Sequence, residues 1–148
     1  MKNKVYLDTS VISALFDERT PERLSMTFGL WTKLDDYEVF ISELVLEELE
    51  RVNNQMREKM LDAVKKFTVL TISEKAERLA KIYIKQGIFP EKYFDDALHV
   101  ALAAENQIGI LISWNFTHLV KLKTRRMVSV VNLQENFIPV EIISPPEL

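Results

Sequence analysis

Asp8 is the first residue whose position in this sequence suggests chemistry. It directly follows the apolar run at residues 5–7 and precedes two hydroxyl side chains, Thr9 and Ser10. A buried strand gains nothing by ending in a carboxylate unless the charge has a partner. The position therefore predicts one of three roles for Asp8: a helix cap, half of a salt bridge or a metal ligand.

Glu48 is the one carboxylate of the segment 43–53 that falls on its apolar face. At helical spacing a polar face collects four other residues, Glu43, Glu47, Glu50 and Asn54. Glu48 instead falls among apolar positions, beside Leu44 and Val45. A buried carboxylate there costs several kcal/mol unless it is paired or binds a cation. The alternative is a Glu at the edge of the apolar stripe with its head group in water.

Asp95 and Asp96 both lie near the start of a helix predicted over residues 90–106. That helix is apolar almost all round, which predicts a central, buried position. Both carboxylates lie at the margins of its apolar arc, so periodicity does not choose between them. For a single Asp at this point, stabilisation of the helix dipole is a sufficient explanation.

The combination of these acids indicates a metal site. An Asp at a strand end, a Glu on an apolar helix face, an Asp on a buried helix and Asn115 after a later strand would form an oxygen-rich pocket. Mg²⁺ and Mn²⁺ prefer such ligands, completed by water. Without a cation the acids would raise one another's pKa values.

Composition limits the other possibilities. The 148 residues, 47% of them apolar, predict a single domain over residues 1–148 with a sizeable core. The absence of cysteine excludes disulfides, zinc–thiolate sites and a thiol nucleophile. No apolar run is long enough to span a bilayer and none resembles a signal peptide, so we expect a soluble cytoplasmic protein with no membrane partner. The net charge of −3 does not suggest a protein that coats nucleic acid electrostatically.

Short β-branched segments alternate with helical ones along the chain. Strands are predicted at residues 5–7, 38–41, 68–72, 108–113 and 140–143, and helices at 11–16, 21–34, 43–53, 56–66, 90–106 and 123–135, with one more between Ser73 and Gly87 and with Thr20 and Ser73 as caps. This alternation predicts an α/β fold with a mostly parallel sheet of four to five strands between two helical layers. Ligands of such folds bind at the carboxyl ends of the strands, where Asp8 and Asn115 fall.

Four motifs make the sequence resemble the PIN-domain nucleases, in particular the toxins of VapC-like toxin–antitoxin modules. They are YLDTSVI, ISELVLEEL, DALHVALA and ISWNFTHL, in the family's order and at its usual separations. The resemblance covers nearly the whole chain and implies a three-layer PIN-like fold. It places the family's metal-site acids on Asp8, Glu48 and Asp96 and its fourth polar position on Asn115. Many members have Asp at that position, so the neutral Asn115 is a departure that lowers the negative charge of the site.

The activity that this resemblance implies is hydrolysis of RNA phosphodiesters by a Mg²⁺- or Mn²⁺-dependent endoribonuclease. Asp8, Glu48, Asp96 and Asn115 would be both the catalytic and the metal-binding residues. A cognate antitoxin that covers the pocket and a homodimer are the implied protein partners. Thr9 and Ser10 would orient ligands or cap the following helix.

The remaining polar residues allow less specific interpretations. His99 is interpreted as a core or supporting histidine rather than a catalytic base, and His118 as a surface residue. A basic cluster, Lys121, Lys123, Arg125 and Arg126, would either contact RNA phosphates or be a solvated helix start. Two alternative functions remain: a flavodoxin-like phosphoacceptor signalling domain, which would need an acidic pair before the phosphorylated Asp, and a non-catalytic interaction module.

Overall fold

A five-stranded parallel sheet forms the centre of the protein, whose computed structural model describes residues 2–148. The strands are β1 (Asn3–Leu7), β2 (Tyr37–Ser42), β3 (Thr68–Leu70), β4 (Ile110–Ile112) and β5 (Glu141–Ile143), in the order β3-β2-β1-β4-β5. All four pairings are parallel. The predicted α/β class is confirmed, and the sheet is parallel throughout the described residues rather than mostly parallel.

Within residues 2–148, seven α-helices connect and cover the strands. They are α1 (Thr9–Ala14), α2 (Pro21–Lys33), α3 (Glu43–Leu49), α4 (Asn54–Val64), α5 (Glu74–Lys85), α6 (Phe94–Glu105) and α7 (Leu122–Gln134), with short 3₁₀ turns at Leu34–Asp36, Glu91–Tyr93 and Pro145–Glu147. Crossover helices are needed because parallel neighbours cannot be joined by a tight turn. No helix within residues 2–148 is both long and apolar enough to cross a membrane.

The core lies around the central strand β1 and the helix α6. Residues Val5, Tyr6 and Leu7 of β1 have no exposed surface, because β2 and β4 flank the strand and helices cover it. Eight consecutive residues of α6, Ala97–Ala104, are buried. The all-round apolar pattern therefore correctly predicted a central helix.

Several predicted boundaries of helices and strands were wrong. The segment 43–53 is not one helix, because α3 ends at Leu49 and the side chain of Asn53 accepts a hydrogen bond from the Met56 N–H at 3.1 Å to begin α4. An Asn at this point favours a cap over a helix interior. Pro90 begins a 3₁₀ turn rather than α6. Strands β3 and β4 are also shorter than the predicted 68–72 and 108–113.

Two predicted helix caps differ from the observed ones. Thr20 does precede α2, with Pro21 at its first position, but its hydroxyl makes no capping hydrogen bond. The first helix begins at Thr9 rather than near residue 11, because the cap is Asp8 and not Thr9 or Ser10. The strand therefore passes into the helix at Asp8 with no loop between them.

Candidate active site

Four different elements carry the four predicted site residues. Asp8 follows the central strand β1, and Asn115 lies just beyond the neighbouring strand β4. Glu48 lies on α3 and Asp96 in the first turn of α6. The Asp8 N–H donates to the Ile112 carbonyl at 3.2 Å, which continues the β1–β4 pairing to the carboxyl edge of the sheet. Asp8 and the segment that carries Asn115 therefore lie at the edge where parallel sheets bind ligands.

Asp8 is buried and held by three donors. Its side chain is 4% exposed. Oδ1 accepts hydrogen bonds from the Ser10 hydroxyl at 2.6 Å and the Val11 N–H at 3.4 Å, and Oδ2 accepts one from the Ser113 hydroxyl at 2.5 Å. The Val11 bond is the helix cap, one of the three roles open from the sequence. The two hydrogen bonds from Ser10 and Ser113 are not needed for helix capping, and they fix the plane of the carboxylate.

Burial raises the pKa of Asp8, although the nearby charge of His99 and the three hydrogen bonds act in the opposite direction. Because the pKa is raised overall, His99 and the three hydrogen bonds do not fully offset the cost of burying the ionised carboxylate. No Lys or Arg forms an ion pair with Asp8 within residues 2–148. The salt-bridge role is thus not supported, and a cation would offset the remaining cost.

Glu48 is fixed by two donors at a single oxygen. Its Oε1 lies 2.7 Å from both the Thr9 hydroxyl and His99 Nε2, and the side chain is 23% exposed. Burial acts to raise the pKa of Glu48, but the hydrogen bond and charge of His99, with smaller contributions from Thr9 and Arg51, lower it overall. Glu48 is therefore held as the ionised carboxylate, and Thr9 connects it to the turn that contains Asp8.

A buried hydrogen-bonded chain supports Glu48 from behind. The Tyr6 hydroxyl lies 2.7 Å from His99 Nδ1 and 2.7 Å from the Ser42 hydroxyl. Burial acts to lower the pKa of His99, but the hydrogen bond and charge of Glu48, together with the charges of Asp8 and Asp96, raise it overall. His99 is thus buried, as its position on α6 predicted. Tyr6 and Ser42 were not predicted to support the site, and their only signal in the sequence is a polar atom within an otherwise apolar strand.

Asp96 and Asp95 differ sharply in their surroundings. Asp96 is half-buried and burial raises its pKa, against the charges of His99 and His118 and with smaller upward contributions from the charges of Asp8 and Glu48. No donor within residues 2–148 makes a hydrogen bond to its carboxylate. Asp95 instead forms a partly exposed ion pair with Arg51 at 3.9 Å. Asp96 is the member of the pair that belongs to the group of acids.

The segment at Asn115 forms a local turn at the same edge of the sheet. Asn115 Oδ1 accepts a hydrogen bond from the His118 N–H at 3.0 Å, and its own N–H donates to the Ser113 hydroxyl at 2.9 Å. Ser113 thus joins Asn115 to Asp8. His118, predicted to be a surface residue, is half-buried, and its ring packs against that of Tyr93 at a tilt of 35°, with centroids 4.0 Å apart.

The donor set fits a hard divalent cation in its chemistry. Asp8, Glu48 and Asp96 supply carboxylate oxygens, and the pKa values of Asp8 and Asp96 are raised in the way expected for uncompensated acids. Within residues 2–148, however, no three acids or histidines already stand at the close spacing of a metal cluster. Like charges repel, so an ion would have to draw these side chains inward. Mg²⁺ and Mn²⁺ would complete their coordination with water.

The chain matches one family model, and it also resembles solved structures. Residues 5–115 match the model described as the PIN domain. VapC20 of Mycobacterium tuberculosis, described as a toxin that cleaves the sarcin–ricin loop, has a similar fold. The TM-score is 0.61 and the identity 17%, over 93% of this chain and 98% of that one. Comparison with curated proteins gave no match.

Two toxin–antitoxin complexes have similar folds. VapBC2 of Rickettsia felis, solved with a promoter DNA fragment, aligns with a TM-score of 0.60 and 12% identity over 95% of this chain and 98% of that one. VapBC-1 of nontypeable Haemophilus influenzae aligns with a TM-score of 0.57 and 16% identity over 78% and 89%. At these identities the likeness concerns the fold alone.

Proposed function

Because the chain belongs to the PIN-domain family, we propose that it is a Mg²⁺- or Mn²⁺-dependent endoribonuclease that acts as the toxin of a toxin–antitoxin pair. One observation carries the proposal: three carboxylates from separate parts of the fold are grouped around one set of hydrogen bonds at the carboxyl edge of the sheet. Thr9, the neighbour of Asp8, and His99, one turn after Asp96, both lie 2.7 Å from Glu48 Oε1. A fold gains no stability by gathering like charges. Their convergence is best explained by a cation that they share.

In this proposal the residues of the chain hold the ion and orient it. Asp8, Glu48 and Asp96 would bind it, with Asn115 as a fourth, neutral ligand. When bound, it would supply a water of lowered pKa and neutralise charge that develops on the phosphate.

The supporting side chains keep these ligands in place. Ser10 and Ser113 fix the two oxygens of Asp8. Thr9 and His99 fix Oε1 of Glu48, so that this carboxylate neither rotates away nor takes up a proton at neutral pH. Supporting groups of this kind commonly change metal affinity or activity about 10- to 100-fold when removed.

Cleavage of a mixed RNA pool in Mg²⁺ or Mn²⁺ tests the proposal, with EDTA as the metal-free control. Glu48→Gln should abolish cleavage, because it removes the charge while keeping an oxygen that can accept the bonds from Thr9 and His99. Glu47→Gln is the matched control, since Glu47 is exposed on the same helix. Equal activity in both variants, or wild-type cleavage that persists in EDTA, would contradict the assignment. A wild type that neither binds metal nor cleaves RNA would favour an interaction module.

An antitoxin partner is part of the same proposal. A groove of about 820 Å³ between α1, α2 and α4 supports it, with apolar side chains that include Leu24, Phe28 and Met56. The apolar face of a partner helix would cover such a groove. Expression of the chain alone should arrest growth in the cytoplasm, and co-expression of the product of an adjacent reading frame should restore it. Normal growth on expression of an active chain alone would count against a toxin role.

A homodimer is the last part of the proposal. Val130 and Leu133 on α7 are large apolar side chains that are mostly exposed, and a second copy is one surface that would cover them. Sedimentation equilibrium should give twice the monomer mass, and Leu133→Lys should reduce it. A monomer at all concentrations would contradict the proposed dimer.

A further inference from the structure

Arg23, Trp114 and Phe116 form an aromatic and cationic group, here called the Trp114 cluster, beside the candidate active site. Trp114 and Phe116 flank Asn115 in sequence, and their rings meet edge to face with centroids 6.0 Å apart. The Arg23 guanidinium lies 4.8 Å from the Trp114 ring centre and 5.9 Å from that of Phe116. The cluster thus presents the guanidinium of Arg23 and the exposed ring of Phe116 beside the buried indole of Trp114.

Hydrogen bonds hold the Trp114 cluster rigidly. Trp114 is buried, and its Nε1 donates to the hydroxyl of Thr27 at 3.0 Å. That hydroxyl in turn donates to the Arg23 carbonyl at 2.6 Å, one turn earlier on α2. The indole and the guanidinium are therefore positioned by the same helix. A rigid surface loses little entropy when it binds a ligand.

The backbone connects the Trp114 cluster directly to the acids. The Trp114 N–H donates to the Ser10 hydroxyl at 2.8 Å, and this same hydroxyl donates to Asp8. One side chain thus joins the cluster to the first predicted metal ligand. These two hydrogen bonds therefore place the backbone of the Trp114 cluster next to the residue that would bind the metal at the phosphate.

The exposed part of the Trp114 cluster suits a flat, uncharged ring. Phe116 is 48% exposed, and beside Trp114 lies a depression of about 590 Å³ lined by Thr20, Pro21, Glu22, Arg23, Met26 and Trp114. Nucleobases stack on aromatic faces and on guanidinium planes. The carboxylate of Glu22 would repel a phosphate but would accept a hydrogen bond from the amino group of a base. The lining therefore favours a base over the sugar–phosphate backbone.

We propose that the Trp114 cluster stacks an unpaired base of the RNA next to the phosphate that is cleaved. The inference rests on the proposed ribonuclease function and adds a subsite for one base, formed by side chains of α2 and of the segment after β4. Bases in a duplex are stacked on one another and unavailable to the cluster. The cluster binds the substrate before reaction, so its loss should raise KM more than it lowers kcat.

Tryptophan fluorescence tests this stacking without any need for cleavage. The chain has two tryptophans, so Trp31→Phe leaves Trp114 as the only reporter. A short single-stranded RNA should quench this fluorescence, and the same RNA with abasic residues should not. Phe116→Ala should weaken binding of the intact RNA about 10-fold or more, in line with the loss of one base–aromatic stack. Arg23→Lys, which keeps the charge but not the plane, should weaken binding as well.

Val69→Ala is the control, because Val69 on β3 is a large apolar side chain of similar exposure, 42%, outside the cluster. Unchanged RNA affinity in Phe116→Ala, or an equal loss in Val69→Ala, would overturn the proposal. It would also be overturned if Phe116→Ala bound RNA normally but no longer bound a co-expressed antitoxin, because the cluster would then be a protein-binding surface. Base-dependent quenching by a wild type that cleaves no RNA would contradict the hydrolysis and still support the stacking.

Discussion

Replacement of Asp8 by Asn should stabilise the metal-free protein. The carboxylate is buried with three hydrogen bonds and no ion pair, and its raised pKa means that burial outweighs those bonds. Because the pKa is higher in the folded protein than in the unfolded chain, ionisation of Asp8 destabilises the fold as pH rises. Asn keeps the shape and an oxygen that can cap α1.

The magnitude follows from two opposing contributions. The hydroxyls of Ser10 and Ser113 bind a charged acceptor, and each such bond is about 1 kcal/mol stronger than one to a neutral amide. The variant therefore loses about 2 kcal/mol in hydrogen bonding. It regains the cost of burying a carboxylate, which is several kcal/mol. The net expectation is a free energy of unfolding higher by about 1–2 kcal/mol, or a Tm higher by about 2–8 °C.

Thermal melts in EDTA and in Mg²⁺ measure both the stability and its metal dependence. Wild type should gain about 1.4 kcal/mol when Mg²⁺ is present at roughly ten times its Kd, and Asp8→Asn should gain almost nothing. Asp36→Asn, at an exposed carboxylate, is the control and should behave as wild type. A variant that is less stable in EDTA and responds normally to Mg²⁺ would refute the reasoning. It would leave Asp8 as a structural residue only.

Three further predictions concern the support of the site and the fold around it. Tyr6→Phe should lower the free energy of unfolding by about 1–3 kcal/mol in urea titrations, because it leaves the buried His99 Nδ1 without its partner; an unchanged midpoint would contradict this role. Stability in EDTA should fall as pH rises above 6.5, because the raised pKa of His99 makes its protonated form stabilising below that value. His99→Gln should flatten this slope at pH values above about 6.5, and an equally steep slope would assign the effect elsewhere. Gly87→Ala should cost about 1 kcal/mol, because Gly87 ends α5 with a φ of 80°, whereas Gly29→Ala within α2 should be neutral or stabilising in the same melts.

The sheet and the position of its ligand edge could be predicted from local sequence alone. Strand–helix alternation requires parallel pairing, and parallel pairing places Asp8 and the segment after β4 at one edge. The burial of α6 also followed from its apolar residues. The break between α3 and α4 could not be predicted in this way. The helical spacing of the polar residues continues from Glu43 to Asn54, and only the cap at Asn53 shows that a turn interrupts it.

The supporting contacts of the site could not be predicted, because they join residues far apart in the chain. Tyr6 lies on β1, Ser42 at the end of β2 and His99 on α6. Their side chains form hydrogen bonds only because the folded protein brings these three elements together. Periodicity could not separate Asp95 from Asp96 either, since both lie at the margin of the same helical face. Their difference arises from the neighbours, an arginine for Asp95 and two other acids for Asp96.

Divalent metal binding by matched variants of Asp95 and Asp96 tests most directly the central claim of a shared metal site. This measurement does not depend on the choice of RNA. Mn²⁺ titrations followed by electron paramagnetic resonance would report the bound ion in wild type, Asp96→Asn and Asp95→Asn. Shared coordination by Asp8, Glu48 and Asp96 predicts that wild type and Asp95→Asn bind alike and that Asp96→Asn binds about 10-fold more weakly or not at all. Equal Mn²⁺ affinity in all three proteins, or no binding by wild type, would contradict a metal-dependent active site at this edge of the sheet.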